Sequence, residues 1–318
     1  MTPKRIIIDT DPGQDDAFAI LLALASPDEL EVLVITTVAG NVPLDLTSEN
    51  ALKICELAGR SDVPVAAGCD RPLIRDLVTA EYVHGRTGLD GVHLPSPSLS
   101  LDPRNGVDLI IETVLAHEDV TLCALGPLTN VATALLKEPR LIGRLRQIVL
   151  MGGGFFEGGN TTPAAEFNVY VDPEAAQHVL RSGVPIVMMP LDVTHRAITT
   201  PDFVNRLKRL RTPVGEATAG MLEFYERYDR DRYGLEGAPL HDPCVISYLI
   251  APDLFSGREC NVEVETSSEL TRGMTVIDWW GMTNRRRNAM VMNRIDSSGY
   301  FDLIVRRLAA INRSDGRT

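Results

Sequence analysis

Short apolar runs alternate with amphipathic stretches through the first two-thirds of the chain. Residues 5–8, 32–38, 63–67, 120–125, 147–151 and 185–189 read as buried strands. Residues 17–25, 48–58, 107–116 and 173–181 carry helical spacing; the first stops at Ser26-Pro27 and the second at Gly59. Pro127 suits the first position of a further helix. Residues 71–105 are rich in Pro and Gly and read as a long loop with some helix, a length usually kept for function. This order predicts an α/β fold: an open, mostly parallel central sheet with helices on both faces, Rossmann-like. The pattern changes near residue 200. Residues 201–232 look mainly helical with one charged face, and 244–250 form a short apolar helix. Residues 260–293 look like short strands, and 300–311 close the chain as a helix. A mainly helical C-terminal part should therefore close over the site. No repeat, low-complexity segment or linker divides residues 1–318, so one domain is expected.

The first strand runs into Asp9-Thr10-Asp11-Pro12-Gly13-Gln14-Asp15-Asp16, four carboxylates within eight residues. They fall at the carboxyl end of a strand and in the first turn of the next helix, where open α/β sheets bind ligands. Helix capping explains Asp15 or Asp16. It does not explain Asp9 and Asp11 as well, because crowded like charges cost stability unless a cation joins them. No Lys or Arg occurs between Arg5 and Lys53. A bound divalent ion is the other reading, and all-oxygen ligands favour a hard one, Ca²⁺ or Mg²⁺.

Composition narrows the partners. The chain has 318 residues, 44% of them apolar, enough for a sizeable core. Its net charge of −12 disfavours a nucleic-acid backbone as partner. Five cysteines are scattered without a CxxC pair and fit buried free thiols better than a disulfide framework. The longest apolar run, residues 17–25, is too short to span a bilayer. With a strand beginning at once and no signal peptide, a cytoplasmic protein that meets no membrane is expected.

Other polar clusters have plain explanations when taken singly. Asp242 fits a helix cap with Pro243 behind it and His241 as a surface neighbour. Asn160 and Ala165-Glu166-Phe167-Asn168 fit a polar loop. Met151-Gly152-Gly153-Gly154 lacks the Gly-Lys-Ser/Thr ending of a phosphate loop. Gly126-Pro127-Leu128-Thr129-Asn130 is either turn chemistry or a carbonyl aimed into the crevice. His84 is a surface or lid residue, and Trp279-Trp280 suits packing or an interface.

Together these segments resemble the inosine-uridine-preferring nucleoside hydrolases. The resemblance rests on residues 9–16, Val-Ala-Gly-Asn at 38–41, Ala-Ala-Gly-Cys-Asp at 66–70, His-Gly at 84–85 and Gly-Pro-Leu-Thr-Asn at 126–130. Met-Gly-Gly-Gly at 151–154, Ala-Glu-Phe-Asn at 165–168, Asp-Pro-Glu-Ala-Ala at 172–176 and His-Asp-Pro at 241–243 continue it in order. It implies Ca²⁺ held by Asp11, Asp15, Asp16, Asp242 and the main-chain carbonyl of Leu125, with Asp9 behind them orienting the ligands. It implies hydrolysis of the N-glycosidic bond of pyrimidine or mixed ribonucleosides. Asp11 would be the base that activates water at the metal, and His241 the acid to the leaving base. Asn41, His84, Met151, Asn160, Glu166, Phe167, Asn168 and Tyr228 would contact the substrate, with Tyr225 a further base contact. Relatives that select purines stack the base between tryptophans near the site, and here both Trp lie outside the matched motifs. A homodimer or homotetramer is implied too. A metal-dependent nucleoside-binding protein without turnover is the alternative. An aspartyl-nucleophile phosphatase fits less well, because Gly13 stands where that chemistry wants Thr or Val.

Overall fold

A computed structural model describes residues 2–234 and 236–311, with the backbone alone at Tyr233. The first half builds β1 (Lys4–Thr10), α1 (Gln14–Leu24), β2 (Leu30–Thr37), α2 (Leu44–Leu57), β3 (Val65–Ala67), α3 (Glu81–His84), α4 (Gly106–Ala116) and β4 (Val120–Ala124). Then come α5 (Thr129–Lys137), β5 (Leu145–Met151), α6 (Phe167–Val171), α7 (Pro173–Arg181), β6 (Ile186–Met189) and α8 (Leu191–Thr194). The eight-stranded sheet has the order β3-β2-β1-β4-β5-β6, extended by two later strands. The order reverses between β1 and β4, so their carboxyl ends open a crevice.

Ile6-Ile7-Ile8 is continuous rather than alternating because both faces of β1 are covered. Ile6 and Ile8 pack with α1, and Ile7 packs with α4 and α5. The expected C-terminal helices form: α9 (Pro201–Arg209), α10 (Pro213–Tyr233) and α11 (Pro243–Ile250). The long α10 is well delimited. Thr212 accepts from the N–H of Gly215, Pro213 takes the first position, and Gly234 ends it at φ 67°. The C-terminal part is not helical alone. β7 (Phe255–Cys260) and β10 (Ala289–Ile295) complete the main sheet, with β10 parallel to β6 and β7 antiparallel at the edge. β8 (Val262–Val264) and β9 (Thr275–Ile277) form a separate antiparallel ribbon, and α12 (Ser297–Leu308) follows. Pro127 departs from expectation: α5 begins at Thr129, and Pro127 belongs to the preceding turn. All five cysteines are free thiols, four of them buried. No helix among the described residues is long and apolar enough to cross a membrane.

A buried polar knot ties the strand ends. Asp9 accepts from the Thr36 hydroxyl at 2.5 Å and from Asn130 Nδ2 at 2.8 Å. Asn130 also donates to the Thr37 carbonyl at 3.0 Å and accepts from the Cys69 N–H at 2.7 Å. One side chain thereby joins β1, β2, the end of β3 and the start of α5. Asn130→Leu removes three hydrogen bonds: Asp9 keeps the Thr36 hydroxyl and the Thr37 carbonyl keeps the Gly68 N–H, while the Cys69 N–H loses its partner, a loss of about 1–3 kcal/mol for an unsatisfied group. The variant should lose about 2–4 kcal/mol in urea unfolding; a midpoint equal to wild type would contradict this reading of the knot.

Candidate active site

A cavity of about 470 Å³ opens at the carboxyl ends of β1, β4 and β5. Asp11, Asp15 and Asp242 line its floor, and Asp16 lies buried beside them. Carboxylate oxygens of Asp15, Asp16 and Asp242 lie within 4.8 Å of one another. Asp15 and Asp16 come from the first turn of α1, and Asp242 heads α11, which packs on α1. Two helix N-termini thus face one acidic cluster, the favourable sense of the dipole. Capping accounts for Asp16, which accepts from the Gly13 N–H at 3.0 Å. It does not account for Asp242, whose side chain makes no cap bond.

Neighbours hold these carboxylates in place. Asp16 accepts from the Thr10 hydroxyl at 2.5 Å and from Asn41 Nδ2 at 3.1 Å. Asp11 accepts from the Asn41 N–H at 2.8 Å. Two glycines press on Asp11. A Cβ on Gly40 would sit 2.1 Å from its Oδ2, and one on Gly126 would sit 2.3 Å from its Oδ1. Neither glycine has a positive φ, so close approach rather than turn geometry demands it. Asp9 does not take the orienting place expected of it. Its side chain turns toward Thr36 and Asn130, and Thr10 and Asn41 reach Asp16 of the acidic cluster instead.

Every other residue anticipated at the site lines this one cavity: Asn41, His84, Leu125, Met151, Asn160, Glu166, Phe167, Asn168, Tyr228 and His241. Asn168 Nδ2 donates to the Leu125 carbonyl at 2.7 Å, which leaves that oxygen a second lone pair. Glu166 caps α6, accepting from Asn168 and Val169, and accepts from Gly153 as well. Burial pushes its carboxyl up to about 7. Asn160 Oδ1 accepts from the Phe167 N–H at 3.0 Å. His84 Nδ1 meets Gln14 Oε1 at 2.7 Å, and a Cβ on Gly13 would lie 2.4 Å from that nitrogen. His241 Nδ1 meets the Thr194 hydroxyl at 2.7 Å. Burial drives both imidazoles neutral, His84 down to about 3; His195 and His84 add to the effect on His241.

Three contributors escaped sequence reasoning. His195 ends α8, the short helix after β6, lines the cavity and stands 5.7 Å from the His241 ring. Asp192 accepts from the N–H groups of Phe155, Phe156 and Glu157 and so fixes the loop that leads to Asn160. Asp229 on α10 also lines the cavity. Trp279 stacks on Phe155 at 5.1 Å and Trp280 is 69% exposed; neither lines the cavity.

The electrostatics ask for a cation. Burial first, then mutual repulsion, raises Asp11 and Asp242 well above the usual carboxylate range and Asp15 to about 8. Asp16 is raised mainly by burial. No Lys or Arg lines the cavity among the described residues. Four oxygen-bearing side chains with a spare carbonyl suit a hard divalent ion, which would take the place of protons.

A family model for the inosine-uridine preferring nucleoside hydrolases matches residues 6–302. A protein of Shewanella oneidensis named pyrimidine-specific ribonucleoside hydrolase RihA is 49% identical over 307 residues, 96% of each chain. The solved plant nucleoside hydrolase PpNRh1 superposes with a TM-score of 0.91 at 33% identity, covering 97% of this chain and 99% of its own. A purine-preferring ribonucleoside hydrolase from Gardnerella vaginalis gives 0.91 at 31% identity, covering 97% and 99%. The fold is that of a nucleoside hydrolase. The chain belongs to the inosine-uridine preferring nucleoside hydrolase family.

Two outcomes test the metal centre. Acids whose folded pKa is raised stabilise the fold below their unfolded value near 3.8 and lose that contribution as pH rises through about 8 for Asp15. The metal-free protein should therefore melt lower at pH 8 than at pH 5. A divalent cation at a hundredfold its Kd adds about 2.7 kcal/mol, and its effect should be larger at pH 8. Equal melting at both pH values with no cation effect would argue against a metal centre. In the second test, Gly126→Ala should weaken cation binding by about 10–100-fold in a titration, because it displaces Asp11; wild-type affinity would show that Gly126 does not position that carboxylate.

Proposed function

We propose that the protein hydrolyses the N-glycosidic bond of ribonucleosides, pyrimidine or mixed, to ribose and free base in a Ca²⁺-dependent reaction. The observation that carries this reading is one cavity joining an acidic cluster, a polar wall and a buried histidine pair. Asp11, Asp15, Asp16, Asp242 and the Leu125 carbonyl would hold the ion. Calcium there supplies positive charge that acidifies water and anchors vicinal hydroxyls.

The chain's own groups do the rest. Asn160, Glu166 and Asn168 bind the ribose, with Glu166 and Asn160 near the 5′-hydroxyl and Asn41 on the 2′ side. Met151 and Phe167 supply apolar contact. Asp11 takes a proton from water as its oxygen bonds to the anomeric carbon. The bond from that carbon to the base nitrogen breaks, and positive charge develops on the ribose. The Thr194 hydroxyl holds His241 through Nδ1 at 2.7 Å, so Nε2 is the nitrogen that, in the imidazolium form, gives its proton to the departing base and leaves a neutral ring. His84, packed 5.6 Å from the Tyr225 ring, and Tyr228, packed 5.4 Å from Tyr82, border the base. No tryptophan lines the cavity, and several relatives are named pyrimidine-specific; both support a pyrimidine or mixed preference. The phosphatase alternative is disfavoured because Asp9, its nucleophile, faces Thr36 and Asn130.

Release of ribose from uridine should stop with chelator and return with calcium. Asp11→Ala should lose about 10³-fold or more, removing base and ligand together. His241→Ala should cost about 10²–10⁴-fold on uridine but far less on p-nitrophenyl riboside, whose leaving group needs little protonation. Equal losses on both substrates would remove His241 from the acid role, and tight nucleoside binding without turnover would favour the non-catalytic alternative.

A further inference from the structure

Helix α10 brings Asp229 into the cavity wall beside Tyr225 and Tyr228. The residue is only 8% exposed. Among the described residues its carboxylate makes no ion pair and no hydrogen bond to another residue, although cationic side chains stand close in sequence. Arg230 lies against Glu226 at 3.8 Å, and Glu226 also accepts from the Thr199 hydroxyl at 2.7 Å. Burial, with Glu226 adding to it, raises the Asp229 carboxyl to about 6. A buried polar group without a partner costs stability, and native chains keep such groups mainly where a ligand satisfies them.

Its position along α10 says what part of a ligand it meets. Tyr225 feels the charges of Asp15 and Asp242, so that part of the helix faces the acidic floor. Asp229 stands four residues further, one helical turn or ~5.4 Å beyond. A nucleoside with its ribose on the floor would extend its base away from the sugar, into the part of the cavity that Tyr225, Tyr228 and Asp229 line.

We propose that Asp229 reads the Watson–Crick edge of the base and makes the enzyme prefer amino-bearing bases, cytosine among the pyrimidines, over their oxo counterparts. This rests on the ribonucleoside hydrolase reading above. Cytosine presents an amino N–H beside a ring lone pair. An ionised carboxylate accepts from the amino group, whose two N–H donors let it do so without facing the ring lone pair. Uracil presents one N–H between two carbonyl oxygens, so a second carboxylate oxygen meets an acceptor and no donor. A site built around such a hydrogen bond rejects the mismatched base strongly.

The test is kcat/KM for cytidine and for uridine, measured in calcium for wild type, Asp229→Leu, Asp229→Ala and Asp229→Asn. The ratio of the two substrates cancels any loss of folded protein. Wild type should favour cytidine by about tenfold or more. Leu and Ala should bring the ratio near unity, and so should Asn, because its amide acceptor and donor fit the N3–H and O4 of uracil as well as the amino group and ring nitrogen of cytosine. A wild type that prefers uridine, or a ratio that survives in Leu and Ala, overturns the assignment. Hydrolysis of p-nitrophenyl riboside by wild type checks the underlying reading separately. No calcium-dependent release of nitrophenol would overturn that reading, and this inference with it.

Discussion

Repulsion among four buried carboxylates is the constraint around which this molecule is arranged. Asp11, Asp15, Asp16 and Asp242 sit together without a basic side chain, and burial forbids water from screening them. The fold answers with fixed dipoles. Two helix N-termini point at the cluster, and Thr10, Gly13 and Asn41 donate to it. These bonds reduce the charge problem without removing it, which is why the acids remain high-pKa groups poised for a cation.

The rest of the site follows from holding that cluster open. Gly40 and Gly126 flank Asp11, Gly13 makes room for His84, and Asn168 bridges to the Leu125 carbonyl. Behind them the knot of Asp9, Thr36 and Asn130 locks the strand ends from which these turns leave. Asp192 does the same for the loop carrying Asn160. The ligand side chains hang from short, pinned turns on a rigid parallel sheet, the arrangement that keeps a charge-rich pocket pre-organised.

How much of this was legible in the sequence depended on range. The six core parallel strands were visible because both faces of each are buried, leaving unbroken apolar runs. β7 was not, since its middle residues are exposed and polar at the sheet edge. The acidic motif and the resemblance located most of the cavity wall; residues 9–16, 38–41, 126–130 and 151–154 lie at or just past strand ends. Asp9 was expected to orient the acids that follow it, but its hydrogen bonds go to Thr36 and Asn130, partners that only the sheet and α5 bring to it. Pro127 was read as a helix start because a helix follows, but two more residues complete the turn. His195 and Asp229 were invisible for a different reason. His195 gains its meaning from packing against His241, and Asp229 from the way α10 lies along the cavity, neither of which a local pattern encodes. Taken singly Asp242 looked like a cap; the resemblance grouped it with the acids, and the structure sets it beside Asp15 and Asp16 with no cap bond.

The most direct measurement is calorimetric titration of the metal-free protein with calcium at pH 7 in buffers of different ionisation enthalpy. If raised carboxylates hold protons until a cation replaces them, about one ion should bind per chain with net proton release. Absence of binding, or binding with no proton released, would contradict the claim that this cluster exists for a divalent ion.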